Sequence, residues 1–290
     1  MRELTQYAII DGASEEALLN FLAEHNPPHS CLYAEPLQQE LVAIAPYLVQ
    51  VTDEVSAWLA DKVTPWGIYV STSATMKELR QHLRKYLQII IPGEEKPVFF
   101  RFYDPRNVWD FCSVLSDWEL HCFMGPVAKI STNYDSTLQE ESFEKQREQF
   151  PSISKHKFKL FKLDPTQLEK LNQMASDRYL TKLINATEIQ YGKILTHPSE
   201  NDIDTINLYD KKNQKFMTDE IVKECYYFCK QKGIDDDRSI RGLLHLFIEK
   251  RKYTYNLIPE PWIKTLSDES QPGFYRVETL LMDFLGYIPR

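Results

Sequence analysis

The chain has 290 residues, of which 43% are apolar and 26% charged, a composition typical of a folded globular protein rather than a disordered one. Its formal net charge of −8 argues against a nucleic-acid binder, because such a protein needs a basic surface to displace counterions from phosphates. Residues 1–130 contain 10 Lys and Arg against 17 Asp and Glu (net −7), and residues 131–290 contain the remaining 24 and 25 (net −1). This difference favours two lobes.

The cysteine count and the absence of long apolar runs indicate the cellular compartment. Five cysteines are an odd number in a chain too long to need disulfides, which favours a reducing environment. The first residues lack a signal-peptide pattern, and no apolar stretch approaches the ~20 residues of a membrane span. We therefore expect a cytoplasmic protein with no membrane partner.

Short apolar runs alternate with amphipathic segments through the first 131 residues. The clearest helix covers residues 76–88, where Met76, Leu79 and Leu83 recur at helical spacing. Strands are predicted at residues 7–10, 31–33, 47–51, 67–70, 89–91, 98–103 and 127–131. This order predicts an α/β lobe over residues 1–132, with a mixed, partly parallel sheet flanked by helices.

The composition becomes polar and charged after residue 132, and we place the lobe boundary there. Asp164, Pro165 and Gln167 form a strong helix start, with Asp as the cap and Pro at the first helical position. Further amphipathic helices are predicted near residues 218–232, 239–252 and 276–285. Residues 133–290 are therefore predicted to form a mostly α-helical C-terminal lobe.

The segment 96–106 has the strongest local pattern in the chain. Its apolar, aromatic run ends in Asp104-Pro105, which predicts a strand followed by a helix that Asp104 caps. Arg101 and Arg106 flank this junction, and strand ends of α/β proteins often carry functional sites. Two interpretations remain open: these side chains hold the junction together, or they bind an anion or a partner.

Motifs that carry chemistry are missing from the sequence. It contains no phosphate-binding glycine loop, no G-x-S-x-G elbow, no H-E-x-x-H helix and no calcium-loop spacing. We therefore predict no catalytic residue, no metal site and no cofactor. Two groups have the residue types of zinc ligands, but buried core cysteines are the favoured interpretation of both. They are Cys112, His121 and Cys122, and Cys225, Cys229 and His245.

Landmarks in a fixed order resemble a known family. They are residues 7–13, 32–33, 45–49, 65–70, 79–86, 100–106 and 123–127. The best of them is Phe100-Arg101-Phe102-Tyr103-Asp104-Pro105-Arg106. Together they resemble the bacterial type VI secretion adaptor chaperones, a domain-of-unknown-function family whose members load toxic effectors onto the secreted spike. The resemblance covers roughly residues 7–130, slightly under half of the chain.

The resemblance implies a non-enzymatic adaptor that binds a secreted effector in the cytoplasm and delivers it to the VgrG spike protein. It gives no catalytic residue, and its shared motif residues here are Arg101, Tyr103, Asp104 and Arg106. Because the family diverges most in its C-terminal lobe, we expect effector selectivity in residues 133–290. Exposed aromatic residues there would be the anchors of the interface. The candidates are Tyr226, Tyr227, Tyr253, Tyr255 and Trp262.

Two alternatives belong to other functional classes. The first is an α/β enzyme that acts on a phosphate ester or another anionic substrate at the Arg101, Asp104 and Arg106 strand end. It predicts a concave pocket with a nucleophile or metal within reach. The second is an immunity protein that neutralises a toxin.

Overall fold

The computed structural model describes residues 3–33, 36–151, 160–195, 209–210 and 215–289. The chain forms two compact units, which divide between Met174 and Ala175. The first unit contains the whole segment that the sequence predicts to be α/β. The second contains the helices predicted after residue 200.

The first unit is built from short strands and helices. Its strands are β1 (Thr5–Asp11), β2 (His29–Cys31), β3 (Pro46–Gln50), β4 (Gly67–Thr72), β5 (Gln88–Ile90), β6 (Val98–Phe99), β7 (Val127–Tyr134), β8 (Thr137–Glu141) and β9 (Phe161–Lys162). Its helices are α1 (Leu18–His25), α2 (Gln39–Ile44), α3 (Asp53–Ala60), α4 (Met76–Leu83), α5 (Val108–Val114), α6 (Asp117–Met124) and α7 (Glu144–Arg147). The long helix α8 (Pro165–Leu195) begins in this unit.

The main sheet has six strands in the order β2-β3-β1-β4-β7-β8, and every neighbouring pair is antiparallel. β1 lies inside the sheet and is buried on both faces, since Ile9 belongs to one hydrophobic core and Ile10 to the other. Helices α4, α5 and α6 pack on the Ile9 face, and α1 and α3 pack on the Ile10 face. A strand apolar at consecutive positions fits this two-sided burial.

A second, smaller sheet supplies the parallel pairing. Its order is β6-β5-β9, in which β5 pairs with β6 antiparallel and with β9 parallel. The first unit therefore has mixed strand pairing and helices on the faces of its main sheet. The predicted fold class of the N-terminal region is confirmed, although the parallel pair lies outside the main sheet.

The first unit extends well past residue 132, where the sequence placed the lobe boundary. Strand β7 runs across that position and turns into β8 through Asp135 and Ser136, both with positive φ. The polar composition after residue 132 belongs to an exposed strand and a short helix rather than to a linker. The predicted start of α8 is confirmed: Gln167 N–H donates to Asp164 Oδ1 (2.9 Å), and Asp164 N–H donates to Gln167 Oε1 (3.0 Å).

The second unit is mostly helical, as predicted. It contains the C-terminal part of α8, a pairing of β10 (Tyr209–Asp210) with β11 (Lys215–Phe216), and the helices α9 (Thr218–Gln231), α10 (Asp237–Glu249), α11 (Glu260–Leu266) and α12 (Gly273–Leu285). Asp236 caps α10 by accepting Ser239 N–H at 2.8 Å. α10 approaches α12 closely at Gly242, where a Cβ would lie 2.8 Å from a Leu281 methyl group.

The helices of the described ranges can be compared with the dimensions of a bilayer. None of them combines the length and the apolar composition that a bilayer crossing requires.

Candidate functional site

The segment 96–106 forms a shorter strand and a later helix than its pattern predicts. β6 ends at Phe99, and α5 begins only at Val108. Between them the backbone turns, and the Asp104 carbonyl accepts the N–H groups of Asn107 (2.9 Å) and Val108 (3.0 Å). The predicted helix cap is wrong, because the Asp104 carboxylate binds Arg106 instead of the first turn of α5.

Asp104 and Arg106 form a two-pronged ion pair. Asp104 Oδ1 accepts both the backbone N–H and Nε–H of Arg106 at 2.9 Å, and Oδ2 accepts Nη2–H at 2.6 Å. The Asp104 carboxylate is buried, whereas 42% of the Arg106 side chain is exposed. Hydrogen bonding to Asp104 raises the pKa of the Arg106 guanidinium above its ordinary value.

Arg101 pairs with a carboxylate that the sequence did not single out. Its Nη1 donates to Asp11 Oδ2 at 3.1 Å, and the Asp11 side chain is only 4% exposed. Asp11 lies at the end of β1, where its Oδ1 also accepts Ala13 N–H at 3.1 Å. Burial raises the pKa of Asp11, while the Ala13 hydrogen bond and Arg101 act in the opposite direction.

Tyr103 lies beside this pair and is completely buried. Its pKa is raised well above the usual range, first by burial and then by the nearby Asp11 and Tyr33. The Tyr33 ring in turn meets Phe99 edge-on at 5.3 Å. The segment 96–106 therefore joins β1, the chain after β2 and the start of α5 through buried aromatic and charged groups.

The charges of this cluster cancel, since Arg101 and Arg106 are each matched by a buried aspartate. A site for an anionic substrate needs cationic donors that are free to turn to the ligand. Arg106 is held by its carboxylate through Nε and Nη2, and Arg101 is paired through Nη1, with 46% of its side chain exposed. The geometry is that of a clamp between strand ends, and Asp11 is the member that sequence reasoning missed. Its only signal was the Asp-Gly turn after the first strand.

The predicted aromatic anchors divide into two groups. Tyr226, Tyr253 and Trp262 are buried in the core of the second unit, so they are not among the exposed candidates. Tyr227 and Tyr255 are 51% and 45% exposed. Helical geometry explains the difference in α9, because position 226 shares the inward face and position 227 is turned about 100° away.

Further exposed apolar residues were missed by the sequence analysis. Phe274, Tyr275 and Met282 are each more than half exposed on α12. Val277 and Leu281 of the same helix are buried. The signal was present in the sequence, since the apolar residues of this helix are too many for one inward face.

The cysteines of the two groups and His121 lie in buried positions, and His245 is partly exposed. Cys112, Cys122, Cys225 and Cys229 are buried, and burial raises the pKa of the Cys112 thiol to about 12. His245 bridges two tyrosines, with Nδ1 2.5 Å from the Tyr191 hydroxyl and Nε2 2.9 Å from that of Tyr287. Within the described ranges, no three His, Cys, Asp or Glu side chains are grouped to hold a metal ion.

A cavity of about 970 Å³ lies in the first unit, between α4, α6 and residues 142–150. Its wall includes Arg147, whose guanidinium donates to the carbonyls of Gly125 (3.2 Å), Ser142 (3.4 Å) and Ala128 (3.5 Å). Burial raises the pKa of the Cys122 thiol, which also lines the cavity. A thiol held protonated is a weak nucleophile, so this residue does not make the cavity a reactive one.

His82 lines the same cavity and gives a pH-dependent prediction. Its Nε2–H donates to the Phe123 carbonyl at 2.6 Å, and burial lowers its pKa to about 4. The unfolded chain, with a pKa near 6.5, therefore binds a proton before the folded chain does. The stability that neutral His82 contributes is present above about pH 6.5 and is lost as the pH falls towards 4.

We expect the free energy of unfolding to fall by up to about 2 kcal/mol between pH 7.5 and pH 5 through this residue. Urea unfolding at both pH values would measure it. His82→Gln is the matched control, since an amide can donate to Phe123 without titrating. An identical pH dependence for the two proteins would contradict the assignment.

Comparison with known protein families gives a match to one region of the chain. A family model described as "Domain of unknown function (DUF4123)" matches residues 6–122. The match includes the clamp residues Asp11, Arg101, Asp104 and Arg106. Searches of the curated proteins and of the solved structures found no match.

Proposed function

We propose that this protein is a non-enzymatic adaptor chaperone, which binds a type VI secretion effector in the cytoplasm and loads it onto the VgrG spike. The observation that carries the proposal is the family-model match over residues 6–122. That region contains most of the ordered landmarks that resemble the adaptor chaperones. The charge-neutral clamp adds support, because it fits a fold-holding role better than an enzyme acting on anions.

We assign effector selectivity to the C-terminal helical region, within residues 133–290. Tyr227 and Tyr255 are its candidate anchors, and each exposed ring rests on a more deeply buried one. Tyr227 lies 5.4 Å from the Tyr226 ring, and Tyr255 lies 5.7 Å from that of Phe228. Rings supported in this way lose little freedom on binding, which favours them as interface hot spots.

Co-purification tests the adaptor function. The tagged full chain would be expressed in a bacterium that carries a type VI secretion system, and bound proteins would be identified by mass spectrometry. Recovery of an effector together with a VgrG protein, and loss of effector secretion when the adaptor gene is deleted, are the expected results. Recovery of neither protein would contradict the proposal. Rescue from a toxin without any effect on secretion would identify an immunity protein instead.

The aromatic anchors give a sharper prediction. Tyr227→Ser combined with Tyr255→Ser is expected to weaken effector capture at least tenfold, because hot-spot aromatics contribute about 2 kcal/mol or more each. Quantitative pull-down would measure the loss, and the thermal transition should stay within a few degrees of the parent protein. Val63→Ser, at a position 91% exposed in the first unit, is the matched control. Equal capture by all three proteins would exclude these tyrosines as anchors.

A further inference from the structure

The outer edge of β8 is a hydrogen-bonding surface that no other strand of the described residues occupies. β8 is the last strand of the six-stranded sheet, and all five of its side chains are exposed. In the part of the chain that the structure describes, β7 is the only strand paired with it. Exposed strand edges of this kind carry a row of free N–H and C=O groups.

The hairpin geometry shows which backbone groups face outward. β7 and β8 are joined by the two-residue turn Asp135–Ser136, with φ of 54° and 58°, and Tyr134 is paired with Thr137. In a two-residue hairpin the closing pair is hydrogen-bonded, and bonded pairs then alternate with non-bonded ones. Leu138 and Glu140 occupy the non-bonded positions. Their N–H and C=O groups therefore point away from β7, toward solvent.

The side chains of this edge define what it accepts. Leu138 is 71% exposed and offers an apolar contact beside the free backbone groups. Glu140 and Glu141 are both exposed, and Lys129 is bound to Glu140 at 2.9 Å. Residues 133–151 contain five acidic side chains against Lys145 and Arg147.

Negative charge along an edge disfavours pairing with a second, equally acidic copy. The same charge attracts a segment whose side chains are basic.

We propose that the outer edge of β8 binds an extended, basic segment of a partner protein by strand addition. The segment pairs its backbone with Leu138 and Glu140, and it places lysine or arginine side chains near Glu140 and Glu141. An apolar side chain of the segment covers Leu138. The inference rests on the proposed function only in taking this partner to be one of the proteins that the adaptor joins.

A peptide measurement tests the edge directly. The probe is a fluorescent nine-residue peptide of alternating lysine and valine, titrated into the full chain and followed by anisotropy. Leu138→Pro removes one outward N–H and leaves the bonds to β7 in place, which edge strands tolerate. We expect at least tenfold weaker binding to this variant. Equal binding by the variant and the parent protein would overturn the proposal.

Two further measurements keep the test decisive if Leu138→Pro does not fold. Glu140→Lys should weaken the lysine peptide at least tenfold and instead bind a peptide of alternating glutamate and valine. Bound peptide should also slow hydrogen exchange at the Leu138 and Glu140 amides at least tenfold, with little change at Thr137 and Gln139. Absence of both effects would overturn the proposal. A concentration-dependent dimer that Leu138→Pro abolishes would do the same, since a second copy would then be the occupant.

The edge and the adaptor function fail in different ways. If the co-purified complex forms equally well with Leu138→Pro, strand addition at this edge is excluded and the adaptor function stands. If the lysine peptide binds as described but no effector or spike protein is recovered, the edge stands and the adaptor function fails.

Discussion

Replacing Gly67 with alanine is expected to cost the first unit about 4 kcal/mol or more, enough to prevent folding in a domain of ordinary stability. Gly67 starts β4 in the middle of the main sheet and has φ of +152°. A Cβ at this position would lie 1.8 Å from the carbonyl oxygen of Ile9 on β1. Because the Cβ position is fixed by the backbone of β4 and the oxygen belongs to the backbone of β1, the clash cannot be relieved by turning a side chain.

Circular dichroism and urea unfolding of Gly67→Ala would measure this loss. Gly93→Ala is the matched control, since Gly93 also has positive φ (+87°) but open space around its Cβ position. It should cost only about 1 kcal/mol, the usual penalty of backbone conformation alone. Similar losses for the two variants would show that close approach of β1 and β4 is not what Gly67 provides.

Breaking the Asp104–Arg106 ion pair of the clamp is expected to have the second large effect on stability. Arg106→Ala is expected to lower the free energy of unfolding by about 2 kcal/mol, because it leaves the buried Asp104 carboxylate without its guanidinium. Asp104→Ala should have an effect of similar size, since it removes the acceptor of the Arg106 backbone N–H as well. The coupling energy in the double variant should be about 1–2 kcal/mol. We place it below the value for a fully buried pair because solvent screens the exposed part of Arg106.

Urea unfolding of the two single variants and the double variant would complete this cycle. Lys129→Ala breaks a solvent-exposed pair with Glu140 and should change stability by less than about 1 kcal/mol. Effector capture by folded Arg106→Ala should match that of the parent protein. Unchanged stability with lost capture would show that Arg106 contacts a partner instead of holding the fold.

The sequence was a good guide to some features that depend on neighbouring residues, although not to the helix cap predicted at Asp104. The start of α8 followed from Asp164 and Gln167, whose side chains and backbone groups satisfy each other within one turn. The two-sided burial of β1 agrees with its consecutive apolar residues. The same periodicity argument, applied to α9, would have separated the buried Tyr226 from the exposed Tyr227.

Features that depend on residues distant in the chain could not be predicted from local sequence patterns. Asp11 and Arg101 are separated by 90 positions, and no local pattern indicates that they meet. The antiparallel order of the main sheet is likewise a choice among long-range pairings, since strand and helix alternation alone also fits parallel strands.

The extent of the first unit was underestimated for a related reason. An exposed edge strand such as β8 has the polar composition of a linker, and only its pairing with β7 distinguishes the two.

The interior position of β1 also affects how the first unit folds during synthesis. β1 must wait for β3 and β4, which follow it in the chain, and its Asp11 must wait for Arg101, before its buried groups are satisfied. β5 gains its parallel partner only when Phe161 has been made. A unit assembled from such distant pairings folds slowly and exposes apolar strands during synthesis. The helices α9 to α12 of the second unit pack against near neighbours in the chain, so this unit is suited to fold faster than the first.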